Sequence, residues 1–166
     1  MLQKVSIAGM TLDPASNTPI IILKTEDEDF QAIPIWIGLL EATSIASILQ
    51  NIKLERPMTH DLFKDFLDEL EVEVSRIEVS DLRNNTFYAK IYFASKERSF
   101  SMDSRPSDAI AIALRFGAPI YVDDKVIEKL QQGSEGVEIV DKSKKGKELA
   151  EYLEKLSPDD FGKFKV

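Results

Sequence analysis

The order of predicted elements along the chain is the feature that most limits how it can fold. Three segments with strand-like patterns, "VSIAGMTL", "IIILK" and "FQAIPIWI", are separated by turn residues and followed by the helical pattern of "GLLEATSIASILQNI". The same succession returns in "VEVSRIEVSDL", "TFYAKIYFA", "SFSMD" and the helix "SDAIAIALRF". The chain therefore predicts two β-β-β-α units.

The two units can be overlaid without a gap at an offset of about 67 residues. The helix start "EATSIA" then falls on "DAIAIA", which places Glu41 opposite Asp108. Each helix thus begins with an acidic residue followed by alanine. We predict an α+β fold of two pseudo-repeats, at about residues 2–52 and 70–117, with a mixed and mainly antiparallel sheet.

The segments outside the two units add further elements. Between the units, "RPMTHDLFKDFLDEL" predicts a helix with Thr59 as its N-cap. After the second unit, "APIYVDD" predicts a strand, "KVIEKLQQG" a short helix that ends at Gly133, and "GKELAEYLEKL" a terminal helix. The predicted organisation is one domain over residues 1–135 and a C-terminal helical extension over residues 136–166.

The composition limits the chemistry and the partners of the chain. It has no cysteine, which excludes a disulfide framework, a thiolate zinc site and a cysteine nucleophile and suits a reducing cytoplasm. No signal-peptide pattern and no long apolar run is present, so we expect no membrane partner. The net charge of −8 opposes general binding to nucleic acid, which is expected to need a local basic patch or bridging metal ions.

The densest group of chemically active residue types lies in "DSRPSDAIA". Asp103 and Asp108 stand on either side of Arg105 and Pro106. Paired carboxylates hold a divalent cation such as Mg²⁺ or Mn²⁺, or divide acid and base roles. Alternatively, Asp108 only stabilises the helix start and Arg105 pairs with Asp103. Pro106 suits a first helical position and leaves Arg105 outside the helix, free to bind a carboxylate or a phosphate.

A second arginine-proline step, at Arg56, precedes His60 and Asp61. His60 is the only histidine, so any imidazole chemistry must use it as metal ligand or general base, with Asp61 or another carboxylate orienting the ring. The alternative is an exposed polar side chain. Glu41 has two interpretations as well: a helix-start acid beside Trp36, or a functional carboxylate matched by the overlay to Asp108.

Four segments together resemble one known family. "IPIWIGLLEATSIA", "RPMTHDLF", "FYAKIYF" and "SMDSRPSDAIAIALRFGAPIYV" are similar to the bifunctional nuclease domain family, over roughly residues 3–130. The most specific part is its "D-x-RPSDAIALA" type of motif, matched from Asp103 to Ala113 with Ile112 where a leucine is common. The family takes its name from plant members with DNase and RNase activity, so the resemblance implies a nuclease. The positions that match its motifs are Glu41, Arg56, Pro57, Thr59, His60, Asp61, Asp103, Arg105, Pro106, Ser107, Asp108 and Ala109.

The leading hypothesis is therefore a phosphodiester hydrolase. Asp103 and Asp108, with Glu41, would bind one or two divalent ions that polarise the phosphate and activate water. The phosphate would be held, and acid–base chemistry supplied, by the remaining candidates: Arg56, Arg105, Ser107, His60 and Asp61.

The rival hypothesis is a non-enzymatic module, either ligand-binding or a structural homo-oligomer. On this view the same aspartates accept hydrogen bonds from helix N–H groups, and the arginines hold the two halves together in a buried network. Under both hypotheses we expect a homo-oligomer, with Trp36 and exposed strand edges as candidate contacts.

Overall fold

The computed structural model describes residues 1–26 and 31–132 of the chain. Within them the elements are β1 (Leu2–Leu12), β2 (Pro19–Thr25), β3 (Ala32–Trp36), α1 (Leu39–Leu49), α2 (Thr59–Glu69), β4 (Glu73–Arg83), β5 (Thr86–Ala94), β6 (Ser99–Ser104), α3 (Pro106–Phe116), β7 (Ile120–Asp123) and α4 (Asp124–Gln132). This order confirms the predicted α+β fold with two β-β-β-α units. The predicted end of the short helix at Gly133 and the extension over residues 136–166 lie outside the described residues.

The described strands form one mixed sheet in the order β3-β2-β1-β7-β4-β5-β6. Each unit contributes an antiparallel meander, β1-β2-β3 on one side and β4-β5-β6 on the other. Strand β7 lies between them, antiparallel to β1 and parallel to β4. Because β1 and β4 therefore run in opposite directions, the two meanders are placed as a pseudo-two-fold pair about the central strand.

One face of the sheet carries the helices, and we call it the helix face. The buried side chains of β5 alternate with more exposed ones, which is the pattern of a strand with one covered face. Phe93 of β5 packs edge-to-face on Phe63 of α2, with ring centroids 6.4 Å apart. Helix α3 packs on β4 and β5 and against α1 and α2. This packing brings the first turns of the helices together.

Two arginine-proline steps were expected to open helices, and they do so differently. Arg105 is the N-cap of α3 in extended conformation, and Pro106 is the first helical residue, as predicted. In α2 the N-cap is Met58, so the prediction of Thr59 was wrong. The physical reason is Asp61, whose Oδ2 accepts a hydrogen bond from the Met58 N–H at 2.8 Å and so satisfies the helix start from inside the first turn.

The helices in the described part of the chain are short. None of them is long and apolar enough to cross a membrane.

Candidate active site at the helix starts

The first turns of α1, α2 and α3 bring four chemically active side chains together, and we call them the helix-start cluster: Glu41, His60, Arg105 and Asp108. The Arg105 guanidinium lies at its centre. Its Nε is 2.7 Å from Asp108 Oδ2, and its Nη2 is 3.1 Å from Asp108 Oδ1 and 2.7 Å from Glu41 Oε1. One arginine thus binds the acidic residues that open the two pseudo-repeat helices.

Arg105 is also the solvent-facing member of the cluster. Its side chain is 65% exposed, against 17% for Glu41 and 27% for Asp108. Its Nη1 group makes no hydrogen bond to any of the described residues, so two N–H donors remain for a ligand. A planar guanidinium with free donors suits the oxygen atoms of a phosphate.

Glu41 reaches Arg105 from a position that needs a glycine nearby. A Cβ atom placed on Gly38, the N-cap of α1, would lie 2.2 Å from Glu41 Oε2 and 3.1 Å from its Cδ. The φ of Gly38 is −71°, which any residue adopts, so the requirement is one of space. Gly38 was not among the predicted site residues, because clearance between side chains leaves no pattern in the sequence.

His60 joins the cluster from α2. Its Nε2 is 3.0 Å from Asp108 Oδ1, and its Nδ1 is 2.8 Å from the Oγ of Ser44 in the middle of α1. The imidazole is thereby fixed at both nitrogens by residues from the two pseudo-repeats. The carboxylate that contacts the ring is Asp108 and not its sequence neighbour Asp61.

A second arginine lies below the cluster. Arg115 of α3 is only 3% exposed, and its Nε is 2.6 Å from Asp61 Oδ1. Its Nη1 donates to the Ala111 carbonyl at 2.9 Å, and its Nη2 is 3.5 Å from the Ser44 carbonyl oxygen. It therefore ties α2 and α1 to α3. Arg115 was not among the predicted site residues, although a lone arginine in an apolar helix indicates a buried cation with a partner.

Asp108 of the cluster and Asp61, the partner of Arg115, are both held in the charged form. Burial alone raises the pKa of Asp108, but hydrogen bonds from Arg105 and His60 outweigh it and leave the pKa below its usual value. Burial likewise opposes ionisation of Asp61, and the Met58 N–H and Arg115 hold its pKa below the usual value. Both carboxylates are therefore ionised at neutral pH.

Besides Asp61, three predicted site residues lie outside the cluster. Asp103 pairs in register with Lys90, three positions after Phe100, which pairs with Phe93 on the helix face. Because side chains alternate along a strand, Asp103 projects from the opposite face, and its side chain makes no hydrogen bond or ion pair within the described residues. Arg56 is exposed in the turn before α2, and Ser107 is buried in the first turn of α3; neither side chain contacts the cluster through a described hydrogen bond.

The arrangement does not fit the predicted divalent ion. No group of three or more histidine, aspartate or glutamate side chains in the described ranges is placed to hold a metal. Both oxygens of Asp108 and one oxygen of Glu41 already accept hydrogen bonds from Arg105 or His60. A guanidinium thus occupies the position between the carboxylates that a cation would need, and no chemical step is derived through a metal.

Comparison with known proteins gives a consistent set of relatives. A match to the bifunctional nuclease domain covers residues 21–135, which include the whole cluster. An uncharacterised protein of Mycobacterium tuberculosis is 34% identical over 163 residues, covering 95% of this chain and 97% of that protein. Bifunctional nuclease 2 of Arabidopsis thaliana is 30% identical over 131 residues, covering 77% of this chain and 38% of that protein. Bifunctional nuclease 1 of Oryza sativa subsp. indica is 28% identical over 109 residues, 64% of this chain and 33% of that protein.

Proposed function

Because this chain belongs to the bifunctional nuclease domain family, we propose that it hydrolyses phosphodiester bonds in DNA, RNA or both. The observation that carries the proposal is the exposed Arg105 guanidinium, which holds two carboxylates and keeps free donors for a phosphate. The matched plant proteins are two to three times as long as the region they share with this chain. A nuclease activity like the one in their names is therefore part of this proposal for the present chain.

Arg105 is the proposed phosphate-binding residue. A phosphodiester oxygen that approaches its Nη1 group is placed next to Asp108, because the same guanidinium binds both. Glu41 acts in this proposal as the second anchor that stops Arg105 from leaving the site with the ligand. Because Glu41 and Asp108 offset the charge of Arg105, binding of a phosphate in this proposal rests on the free Nη1 donors and not on a net positive patch.

Asp108 and His60 are the proposed acid–base pair. The ionised Asp108 carboxylate orients the attacking water, and the water oxygen forms the new bond to phosphorus as the bond to the leaving oxygen breaks. The proton lost by the water passes to the Asp108–His60 pair and from there to the leaving oxygen. Asp61 has a supporting role, since it fixes the start of α2 through Met58 and Arg115.

The candidates outside the cluster keep a narrower proposed role. Arg56 is exposed and is proposed to meet the flanking part of a nucleic acid strand, whereas Asp103 projects from the opposite face of the sheet and has no role in this proposal. Ser107 is the first-turn neighbour of Asp108 and is proposed to support the helix start near the phosphate. A divalent ion would have to displace Arg105 from the carboxylates, so the proposal assigns no role to a metal.

The experiment is a cleavage assay on single- and double-stranded DNA and RNA, run with Mg²⁺, with Mn²⁺ and with a chelator. Arg105→Ala is expected to lower cleavage about 100-fold, the usual effect of removing one preorganised charged donor. Arg83→Ala is the matched control, because Arg83 is also 65% exposed and also holds an aspartate, Asp81, through its Nε at 2.6 Å. No cleavage by the wild-type protein under any condition, or equal cleavage by both variants, would contradict the proposal.

A non-enzymatic function is the second candidate, and one observation favours it. The three carboxylates in and beside the cluster, Glu41, Asp108 and Asp61, each form an ion pair with an arginine. Full pairing is the arrangement expected of a structural network. On this alternative the cluster holds the two pseudo-repeats together, and the exposed face of Arg105 binds a ligand without cleaving it.

The chain is also proposed to form a homo-oligomer in the cytoplasm. Trp36 lies on the edge strand β3 and is 42% exposed, and Leu39 and Leu40 at the start of α1 are more exposed still. Apolar side chains concentrated beside an open strand edge favour association. Size-exclusion chromatography with light scattering tests this, and a monomer at all concentrations would refute it.

A further inference from the structure

A buried serine completes the contacts of the only histidine. Ser44 Oγ is 2.8 Å from His60 Nδ1, and His60 Nε2 is 3.0 Å from Asp108 Oδ1. Resting on the proposed function, we infer that Ser44 is a positioning residue for His60 in hydrolysis. No prediction from the sequence included it.

The chemistry of a hydroxyl explains why this position suits a serine. When His60 is neutral and donates from Nε2 to Asp108, its Nδ1 carries a lone pair that the Ser44 hydroxyl donates to. When the imidazole takes up a proton, Nδ1 becomes a donor and Ser44 Oγ accepts. The ring therefore keeps the same partner and the same orientation in both protonation states, whereas an alanine would leave a nitrogen without a partner in a buried place.

The same three residue types form the catalytic triads of many hydrolases, but the arrangement here excludes a nucleophilic serine. Ser44 is 1% exposed, while the solvent-facing end of the line is Asp108, which is 27% exposed. The imidazole lies between the serine and the rim of the cluster. A substrate that reaches Arg105 thus meets Asp108 first and has no path to Ser44 Oγ.

The charged groups near His60 make no contact with the Ser44 side chain. Asp108 and Arg105 approach from α3 and its N-cap, and Asp61, next to His60 in the sequence, pairs with Arg115. Arg115 does contact Ser44, but through the backbone carbonyl, which an alanine keeps. Replacing Ser44 by alanine therefore removes one hydrogen bond to the ring and leaves the charges in place.

The chain offers a matched control one turn further along α1. Ser47 is also buried, and its Oγ donates to the Ser44 carbonyl oxygen at 2.9 Å without reaching the imidazole. Ser44→Ala and Ser47→Ala thus delete the same atom from the same helix. Only the first deletion changes a contact of His60.

The experiment compares both variants with the wild-type protein by ¹⁵N NMR of the imidazole, which gives one set of signals because His60 is the only histidine. Ser44→Ala is expected to move the Nδ1 resonance towards that of a nitrogen without a hydrogen bond, and Ser47→Ala is expected to leave it in place. Ser44→Cys, with a weaker donor and acceptor, is expected to give a shift between the two. An unchanged Nδ1 resonance in Ser44→Ala overturns the inference.

Cleavage kinetics separate this inference from the proposed function. Ser44→Ala is expected to lower kcat about tenfold with KM unchanged, at the low end of what acid–base assistance contributes. Normal kcat in Ser44→Ala beside an active wild-type protein overturns the role of Ser44 alone, whereas an inactive wild-type protein overturns the proposed function. Covalent labelling of Ser44 by a fluorophosphonate, read by mass spectrometry, would show a nucleophile and overturn the positioning role.

Discussion

Gly38 and Gly117 offer a paired test of how the cluster is held. Gly38→Ala places a Cβ atom 2.2 Å from Glu41 Oε2, and an ordinary carbon–oxygen contact requires the carboxylate to retreat by about 1 Å. The 2.7 Å contact between Glu41 Oε1 and Arg105 Nη2 is then lost. Gly117→Ala meets no neighbouring atom, but its φ of +63° is one that alanine rarely adopts.

The two substitutions are expected to differ in their effects on Tm and on kcat/KM. In Gly38→Ala the lost ion pair costs about 0.5–1 kcal/mol, and the lower entropy of the unfolded chain returns about 0.4–1 kcal/mol, so the Tm should move by no more than about 2 °C. Gly117→Ala should cost about 1–2 kcal/mol and lower the Tm by about 2–8 °C. Displacing Glu41 by about 1 Å leaves Arg105 with one anchor, which should lower kcat/KM at least tenfold in Gly38→Ala alone.

The assay is thermal unfolding by calorimetry beside cleavage of a single-stranded oligonucleotide. The double variant Gly38→Ala/Glu41→Ala should be no less active than Glu41→Ala, because Gly38 acts only through the carboxylate that is already absent. If Gly38→Ala lowers the Tm as much as Gly117→Ala and leaves cleavage unchanged, the reasoning about clearance is refuted.

Three other substitutions and one pH profile extend these tests. Asp108→Asn is expected to lower cleavage at least about 100-fold and to lower the Tm as well, because the charged carboxylate accepts hydrogen bonds from Arg105 and His60; a lowered Tm with cleavage retained would support the non-enzymatic alternative. Arg115→Met should cost about 3–5 kcal/mol in urea denaturation, because it strips Asp61 of a buried partner. Asp103→Asn should leave cleavage within about twofold of the wild type, since the side chain projects from the other face of the sheet. The folded-state pKa values of Asp61 and Asp108 lie below their usual values, so the two charged carboxylates stabilise the folded protein above about pH 4. This stabilisation is lost as the pH falls through the lowered pKa values. Urea midpoints measured from pH 6 to pH 2 should therefore fall at the acidic end, and they should fall less steeply in Asp61→Asn.

Local patterns were enough to predict the two β-β-β-α units. Period-two alternation and turn residues mark strands within a few neighbouring positions, and the structure keeps every strand and helix predicted over the described residues. The overlay also predicted that Glu41 and Asp108 are equivalent, and both carboxylates bind Arg105. Placing β7 between β1 and β4 was beyond the sequence, because that pairing depends on contacts between distant parts of the chain.

The contacts of the cluster were harder to predict than its members. The pairing of Asp103 with Asp108 was expected from their separation of five residues, but the alternation of β6 from Phe100 onward turns Asp103 away. Ser44 is one of several polar residues in α1, and Arg115 lies in the last turn of α3, where a basic residue is common. What distinguishes them is burial against α2, and the sequence of one helix contains no information about which residue of another it will face.

The central position of β7 has a consequence for how the protein is made. Both β1 and β4 complete their hydrogen bonding only when β7 lies between them, yet β7 leaves the ribosome after both meanders and three of the helices. Until then each half exposes an unpaired strand edge, and the closing contacts span more than one hundred residues between β1 and β7. We therefore expect a stage of synthesis in which the two half-sheets have unpaired edges open to other chains, and this stage ends when β7 pairs with both of them.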